Sequence, residues 1–197
     1  MLTEPVFVAQ IEPRENVEKE EERADLNWNE KEACLPHWNW CGICCVRMII
    51  LGLGREAPSL PEMYQVAFDR YGVFRMVDGH IQGAFHRQLA EYIQGEFNLS
   101  AVARRGLSPD DVAAWIARGH YVIASVSSEI REMSGKEPKR RNGHLVVVYD
   151  VQETEEGRTF VLHNSAGFFR TGTQEAVVVS EKRFAQCFSG NGIIVSV

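Results

Sequence analysis

No stretch of this 197-residue chain reaches the roughly 18–20 consecutive apolar residues that a membrane helix requires. A membrane span is therefore not expected. The opening Met1-Leu2-Thr3-Glu4-Pro5 lacks a basic stretch followed by an apolar core, so no secretion signal is expected either. Basic charge is in deficit. Lys and Arg total 21 against 27 Asp and Glu, a formal net charge of -6, which argues against nucleic acid as a partner. Cysteines number five, an odd count with three inside positions 41–45. That is a poor disulfide framework and fits reduced thiols in a cytoplasm. No internal repeat is visible.

The composition, 45% hydrophobic and 24% charged, is that of a globular protein. The length suits a single domain over 1–197, with a sizeable core. Its densest charge lies in residues 12–32, including Glu15, Glu18, Lys19, Glu20, Glu21, Glu22, Arg23 and Asp25. Residues 12–36 read as a charged insertion or arm, solvated or poised as an acidic flap. Before it, Pro5-Val-Phe-Val-Ala-Gln-Ile11 reads as a short strand or an extended anchor.

The most informative stretch is Trp40-Cys41-Gly42-Ile43-Cys44-Cys45-Val46-Arg47-Met48-Ile49-Ile50-Leu51. Arg47 is its only charge, and apolar side chains cover both faces, which describes a buried helix. Pro36 delays the start and Gly52 and Gly54 end it. A cysteine at such a helix start gains from the positive dipole end, which favours thiolate. Cys41 is thus a candidate nucleophile, while Cys44, Cys45 and Cys187 read as packing.

Further helices are expected from Ser59 to about Tyr71, from about Gln82 to Ile93, and from Ser108 to Gly119, the first and third opened by Ser-x-Pro or Ser-Pro signals. After Gly119 the pattern changes to strands: 121–126, 144–149, 159–163, 176–179 and 193–195, with a short helix over 180–188. Helices followed by strands give an α+β domain with an antiparallel sheet.

A thiol nucleophile needs a base, and the base needs an orienting group. His144 opens the strongest predicted strand beside a polar loop. Folding the hairpin about Thr154–Glu156 sets His144 across from about residues 164–168, so Asn164 can hold its ring. His80, His86, His120 and His163 carry no spacing signal and read as structural or surface residues. The basic loop 136–141 lies close enough to His144 to touch an acidic substrate or to act as a lid.

Trp40-Cys41-Gly42, the apolar helix, the Pro109-Asp110-Asp111-Val112 helix, Gly143-His144-Leu145-Val146-Val147-Val148 and Leu162-His163-Asn164-Ser165 together resemble the papain-like cysteine peptidases. The closest subgroup is the bacterial peptidases that cut double-glycine leader peptides, with their stand-alone relatives. The resemblance spans about residues 38–197. It implies a papain-like fold and a bacterial cysteine peptidase (a thiol protease) acting on a peptide or protein, with no metal or cofactor. Cys41 would be nucleophile, His144 general base and Asn164 the orienting residue, where relatives usually carry Asp followed by Pro. The family also places an oxyanion-binding Gln shortly before the Cys. Position 35 here is Leu, which leaves Gln10, Asn39 or His37, with Gln10 favoured and residues 12–36 as an insertion. The Cys41 backbone N–H would be the second donor.

Four other readings compete. Cys41-x-x-Cys44 could be a redox pair, although the polar residues before it do not suit a thioredoxin-like strand. Cys34-x-x-His37 with Cys41-x-x-Cys44 could bind zinc, although the gap is tight. The fold could bind peptides without turnover, and an amidase or acyl transferase would use the same triad.

Overall fold

The computed structural model describes residues 2–10, 39–132, 136–167 and 171–197. The charged stretch 12–32, Cys34, Leu35 and His37 lie outside the described residues. The expected apolar helix is α1, Cys41–Gly52, and nine of its twelve residues are buried. α2 (Leu60–Asp69) opens with a reciprocal capping box between Ser59 and Glu62. α3 (His86–Phe97) and α4 (Pro109–Ala117) follow, the latter capped by Ser108 and Asp111. α5 (Glu181–Cys187) lies near the C-terminal end. No helix among the described residues is long and apolar enough to cross a membrane.

A hairpin, β1 (Arg75–Val77) with β2 (His80–Gln82), stands apart from the main sheet. That sheet holds β3 (Ser100–Arg104), β4 (His120–Ser127), β5 (Gly143–Thr154), β6 (Gly157–His163), β7 (Val177–Ser180) and β8 (Phe188–Ser196). Its order is β3-β8-β4-β5-β6-β7, antiparallel throughout. The fold is therefore α+β, as the sequence pattern implied.

Two hydrophobic clusters lie on opposite faces of the sheet. Tyr121, Ile123, Leu145 and Val147 join α1, α2 and α3 in the first. Val122, Ala124, Val146 and Val148 join α4 and α5 in the second. Burial on both faces explains why β4 and β5 read as continuous apolar runs rather than alternating ones.

Residues 5–9 take the extended-anchor alternative rather than the strand, held by side chains and single backbone bonds. One expectation needs correction. The helix expected over 82–93 begins at His86 and ends at Phe97. Asp78 and Gly79, both with positive φ, turn the chain into β2, which takes Gln82 into a strand. The strand β3 was not foreseen; five residues with alternating exposure give little pattern at a sheet edge.

The extended N-terminal segment covers the last open side of α1. Val6 N–H donates to the Met48 carbonyl at 3.2 Å. Tyr121 hydroxyl donates to the Thr3 carbonyl at 2.6 Å, and Tyr149 hydroxyl to Glu4 Oε1 at 3.0 Å. His163, fully buried, donates from Nε2 to the Pro5 carbonyl at 2.7 Å and accepts at Nδ1 from Ala176 N–H at 3.0 Å. This histidine is structural. A Cβ on Gly52 would lie 2.7 Å from Pro5 Cα and 2.9 Å from the Glu4 carbonyl oxygen. Backbone cannot yield as a side chain can, so Gly52→Ala should lower stability by about 1–3 kcal/mol, read from a urea unfolding midpoint.

Burial holds the His163 ring below its ordinary pKa, and the Pro5 carbonyl only partly opposes this. A depressed folded value means that the unfolded chain takes up the proton first. The stability of the neutral ring is therefore complete above about pH 6.5 and lost as pH falls through the folded pKa. The urea midpoint should fall on acidification from about pH 7.5 to about pH 5.5, and His163→Gln, which keeps a donor and an acceptor but does not titrate, should flatten that fall.

Candidate active site

α1 delivers Cys41 at its first turn. Trp40 occupies the N-cap, where its side chain supplies no capping bond, and no acid lies in the first turn. Gly42 explains how the helix start comes so close to its neighbours. A Cβ there would lie 3.0 Å from both Ala84 Cβ and Leu89 Cδ2, and 3.1 Å from Leu145 Cδ1. The helix mouth is thus packed directly on the beginning of β5, the strand that carries His144.

The β5–β6 register pairs Val147 with His163 and Thr154 with Gly157. Continued toward the strand ends, it sets His144 opposite Ala166, with Asn164 as its diagonal neighbour. His144 Nε2 and Asn164 Oδ1 are 2.7 Å apart, and both residues are buried. With the amide oxygen as acceptor, the imidazole donates from Nε2 and keeps its Nδ1 lone pair. Ala166 N–H also donates to Asn164 Oδ1, at 3.2 Å, and fixes the amide orientation.

Cys41 is only 7% exposed. Backbone N–H groups of Leu145, Gly42 and Cys41 itself face its sulfur and favour thiolate. Burial nonetheless outweighs them and pushes the thiol up. This corrects the expectation that the helix start alone would activate the cysteine. A helix dipole offers up to about 2 kcal/mol, whereas burial can shift a titrating group by about 3–5 pKa units. The opposite shift affects His144. Burial, and to a lesser degree the Arg131 guanidinium, lower it to about 4 against the pull of the Asn164 bond. Near neutral pH both groups are therefore uncharged at rest.

Gln10 lies beside this arrangement. It is buried, its N–H donates to the Ser165 carbonyl at 2.9 Å, and its Oε1 faces Ser165 Oγ at 3.5 Å. Ser165 in turn bonds the Cys44 thiol, one helical turn below Cys41. Cys44 and Cys45 are fully buried and held protonated by burial, and Cys187 is buried in the second cluster. Asn39 lies within the described residues, next to Trp40, whereas His37 does not. His80 is exposed on the hairpin, His86 is half-buried at the start of α3, and His120 packs edge-on against Trp115.

Ser165 stands next to Asn164 at the hairpin edge, where the sequence puts it, but its contacts with Gln10 and Cys44 were not foreseen. Arg131 carried no sequence signal, because the 3-10 turn Ser128–Glu132 brings it across the sheet end. Its Nη1 donates to the Ala166 carbonyl at 3.4 Å.

No protein-family model matches the sequence, and no curated protein matches it. A solved structure does resemble the chain. It is a Bacillus anthracis protein provisionally named a C39-like peptidase, with a TM-score of 0.55 at 15% identity. The match covers 81% of this chain and 89% of that one. The fold is that of papain-like cysteine peptidases. It is not the thioredoxin-like fold that the redox reading of Cys41 and Cys44 requires. The zinc reading rests partly on Cys34 and His37, outside the described residues. Among the described residues no group of three metal-type ligands gathers.

Iodoacetamide should label Cys41 faster than Cys44, Cys45 or Cys187, because Cys41 is the least buried of the four and has the Leu145 N–H of the histidine-bearing strand at its sulfur. Peptide mapping by mass spectrometry reads the order. His144→Ala should slow the Cys41 rate specifically, and equal rates at all four thiols would remove Cys41 from its assigned role.

Proposed function

We propose that the protein is a cysteine peptidase in which Cys41 is nucleophile, His144 general base and acid, and Asn164 the residue that holds the imidazole. The observation that carries this reading is the buried 2.7 Å bond between His144 Nε2 and Asn164 Oδ1. It commits the tautomer whose Nδ1 can accept a proton, on a strand whose next N–H faces the Cys41 sulfur.

In this scheme the resting pair is neutral. As the thiol attacks a peptide carbonyl, its proton passes to His144 Nδ1 and the sulfur–carbon bond forms. The carbonyl oxygen takes the negative charge, held by the Cys41 N–H and the Gln10 side-chain amide. Asn164 keeps the imidazolium aligned while it returns the proton to the departing amine nitrogen, leaving a thioester on Cys41. Water, deprotonated by the same imidazole, then attacks the thioester, and the acid product and free thiol are restored. Neutral reactants suit a buried site, since charge appears only when substrate dipoles and the two oxyanion donors can meet it.

A peptide-binding module without turnover is the second reading. The low exposure of Cys41 is what favours it. The two readings part on hydrolysis of a mixed peptide library, with Cys41→Ala as the blank. An amidase or acyl transferase would instead process non-peptide acyl groups through the same three residues. A cytoplasmic bacterial setting is in keeping with free thiols and with the resemblance, and belongs to the same proposal.

The pH profile supplies a sharper check. The base must be unprotonated, and His144 is held at about 4. Activity should thus be present through neutral and mildly acidic pH and be lost only as pH falls toward about 4, with no inflection near the ordinary histidine value of about 6.5. The measurement is kcat/KM against pH, with tryptophan fluorescence at each point to exclude acid unfolding. An acid limb centred near pH 6.5 would contradict the buried neutral base.

A further inference from the structure

A cavity of about 130 Å³ lies between α2 and α3. Its apolar walls are Met63 and Val66 from α2, Tyr92 and Phe97 from α3, and Pro58 from the segment before α2. It is separate from the candidate active site. Ala84 and Leu89, near the start of α3, pack at the Gly42 position beside Cys41, whereas Phe97 is the last residue of that helix. From Leu89 to Phe97 the helix rises by about 12 Å. The Tyr92 ring is fixed, edge-on to Tyr71 and to Phe97, each at 5.4 Å between centroids.

Charged groups around the cavity already have partners. Glu62 Oε2 accepts from the Ser59 N–H at 2.9 Å and from Ser59 Oγ at 2.7 Å. Glu96 Oε1 accepts from the Tyr71 hydroxyl at 2.7 Å and meets Arg70 Nη1 at 2.9 Å. Arg47 Nε donates to the Pro58 carbonyl and Arg55 Nη1 to the Phe97 carbonyl, both at 2.9 Å. Two carboxylates and three guanidiniums thus hold one another and the backbone of the walls. Neither an anion nor a cation would find an unanswered counter-charge there.

Tyr92 differs. It is 1% exposed, and its hydroxyl makes no hydrogen bond among the described residues, yet that oxygen is not sealed from solvent. The cavity that Tyr92 lines is the space from which a partner can reach it. Burial first, and then the Glu96 carboxylate, hold the hydroxyl in its protonated form. It is therefore a neutral group that can both donate and accept. An unmet buried hydroxyl is costly, and a ligand group that pairs with it removes that cost. An apolar cavity of about 150 Å³ holds one benzene ring, so the available volume suits a body of nearly that size.

We propose that the cavity between α2 and α3 binds a small uncharged molecule, with an apolar body of about one aromatic ring and a single hydrogen-bonding group that pairs with the Tyr92 hydroxyl. The site does not depend on the roles assigned to Cys41, His144 and Asn164, and its occupancy is measured without turnover.

The probes are phenol, toluene, benzoate and benzylammonium, titrated into the full chain labelled with nitrogen-15 and followed by amide NMR shifts. Phenol should shift the Met63, Val66, Tyr92 and Phe97 signals in a saturable way. Toluene, of the same size without the hydroxyl, should bind there about fivefold more weakly. Benzoate and benzylammonium should bind more weakly still, because each would bring a charge into an apolar space. Tyr92→Phe keeps the ring and its packing, and it should bring the ratio of phenol to toluene affinity to about one. Val66→Phe fills the cavity from a half-buried position and should abolish both. If that variant does not fold, the ratio in Tyr92→Phe still decides. No saturable shift at these residues, which would mean that the hydroxyl meets only water, overturns the proposal. So does tighter binding of either charged probe, or a phenol preference unchanged in Tyr92→Phe.

Discussion

A helix that is apolar on every side must be covered on every side, and this constraint organises the structure. α1 has one charged residue, Arg47, whose Nε escapes to the Pro58 carbonyl at 2.9 Å. The sheet covers one flank through β4 and β5, while α2 and α3 cover others. The extended segment from Thr3 to Gln10 closes what remains, which is why Gly52 must be glycine and why His163 is spent on the Pro5 carbonyl. Burying nine of its twelve residues also packs its first turn against the start of β5. The placement of Cys41 beside the His144 strand is thus a by-product of hydrophobic closure, and it needs no separate device.

The same closure has an electrostatic cost. Each shell that stabilises α1 removes water from the Cys41 sulfur and the His144 ring, and both lose access to their charged forms. N–H groups at the sulfur and the Asn164 amide at the ring counter this only in part. Asn suits such a position better than Asp in one respect. A carboxylate would pull the imidazole toward its charged form, whereas a neutral amide fixes orientation and leaves the low dielectric to keep the ring unprotonated. Truncating Asn164 would leave a buried N–H without its acceptor, a loss of about 1–3 kcal/mol in holding the ring.

The features legible in the sequence were those whose cause is local. Apolar residues on both faces announced α1, Ser59 and Ser108 announced their caps, and β-branched runs announced β4, β5 and β6. The hairpin between Gln152 and Gly157 placed Asn164 near His144 to within a few residues, because register follows from the turn. A bulge between Val148 and Asp150 shifts that register by one, which no sequence signal revealed. Elements with little burial were missed: β1 and β2 are three residues each and mostly exposed, and only Asp78-Gly79 marked them. Contacts between distant segments were hardest to see. Gln10 was singled out only because Leu35 broke a pattern, and nothing in the sequence pointed to its contact with Ser165.

Arg131 shows why such contacts matter beyond bookkeeping. Its neighbours in sequence are ordinary, and its effect arises because Arg183, more than fifty residues later, grips the carbonyls on either side of its loop. Burying Arg183 is costly unless its donors are met, and two of them are met by backbone carbonyls of this loop. Arg131 opposes protonation of His144, so the clamped turn helps burial to keep the ring neutral, and a contact fixed by a distant helix tunes a group that its own sequence neighbours do not touch.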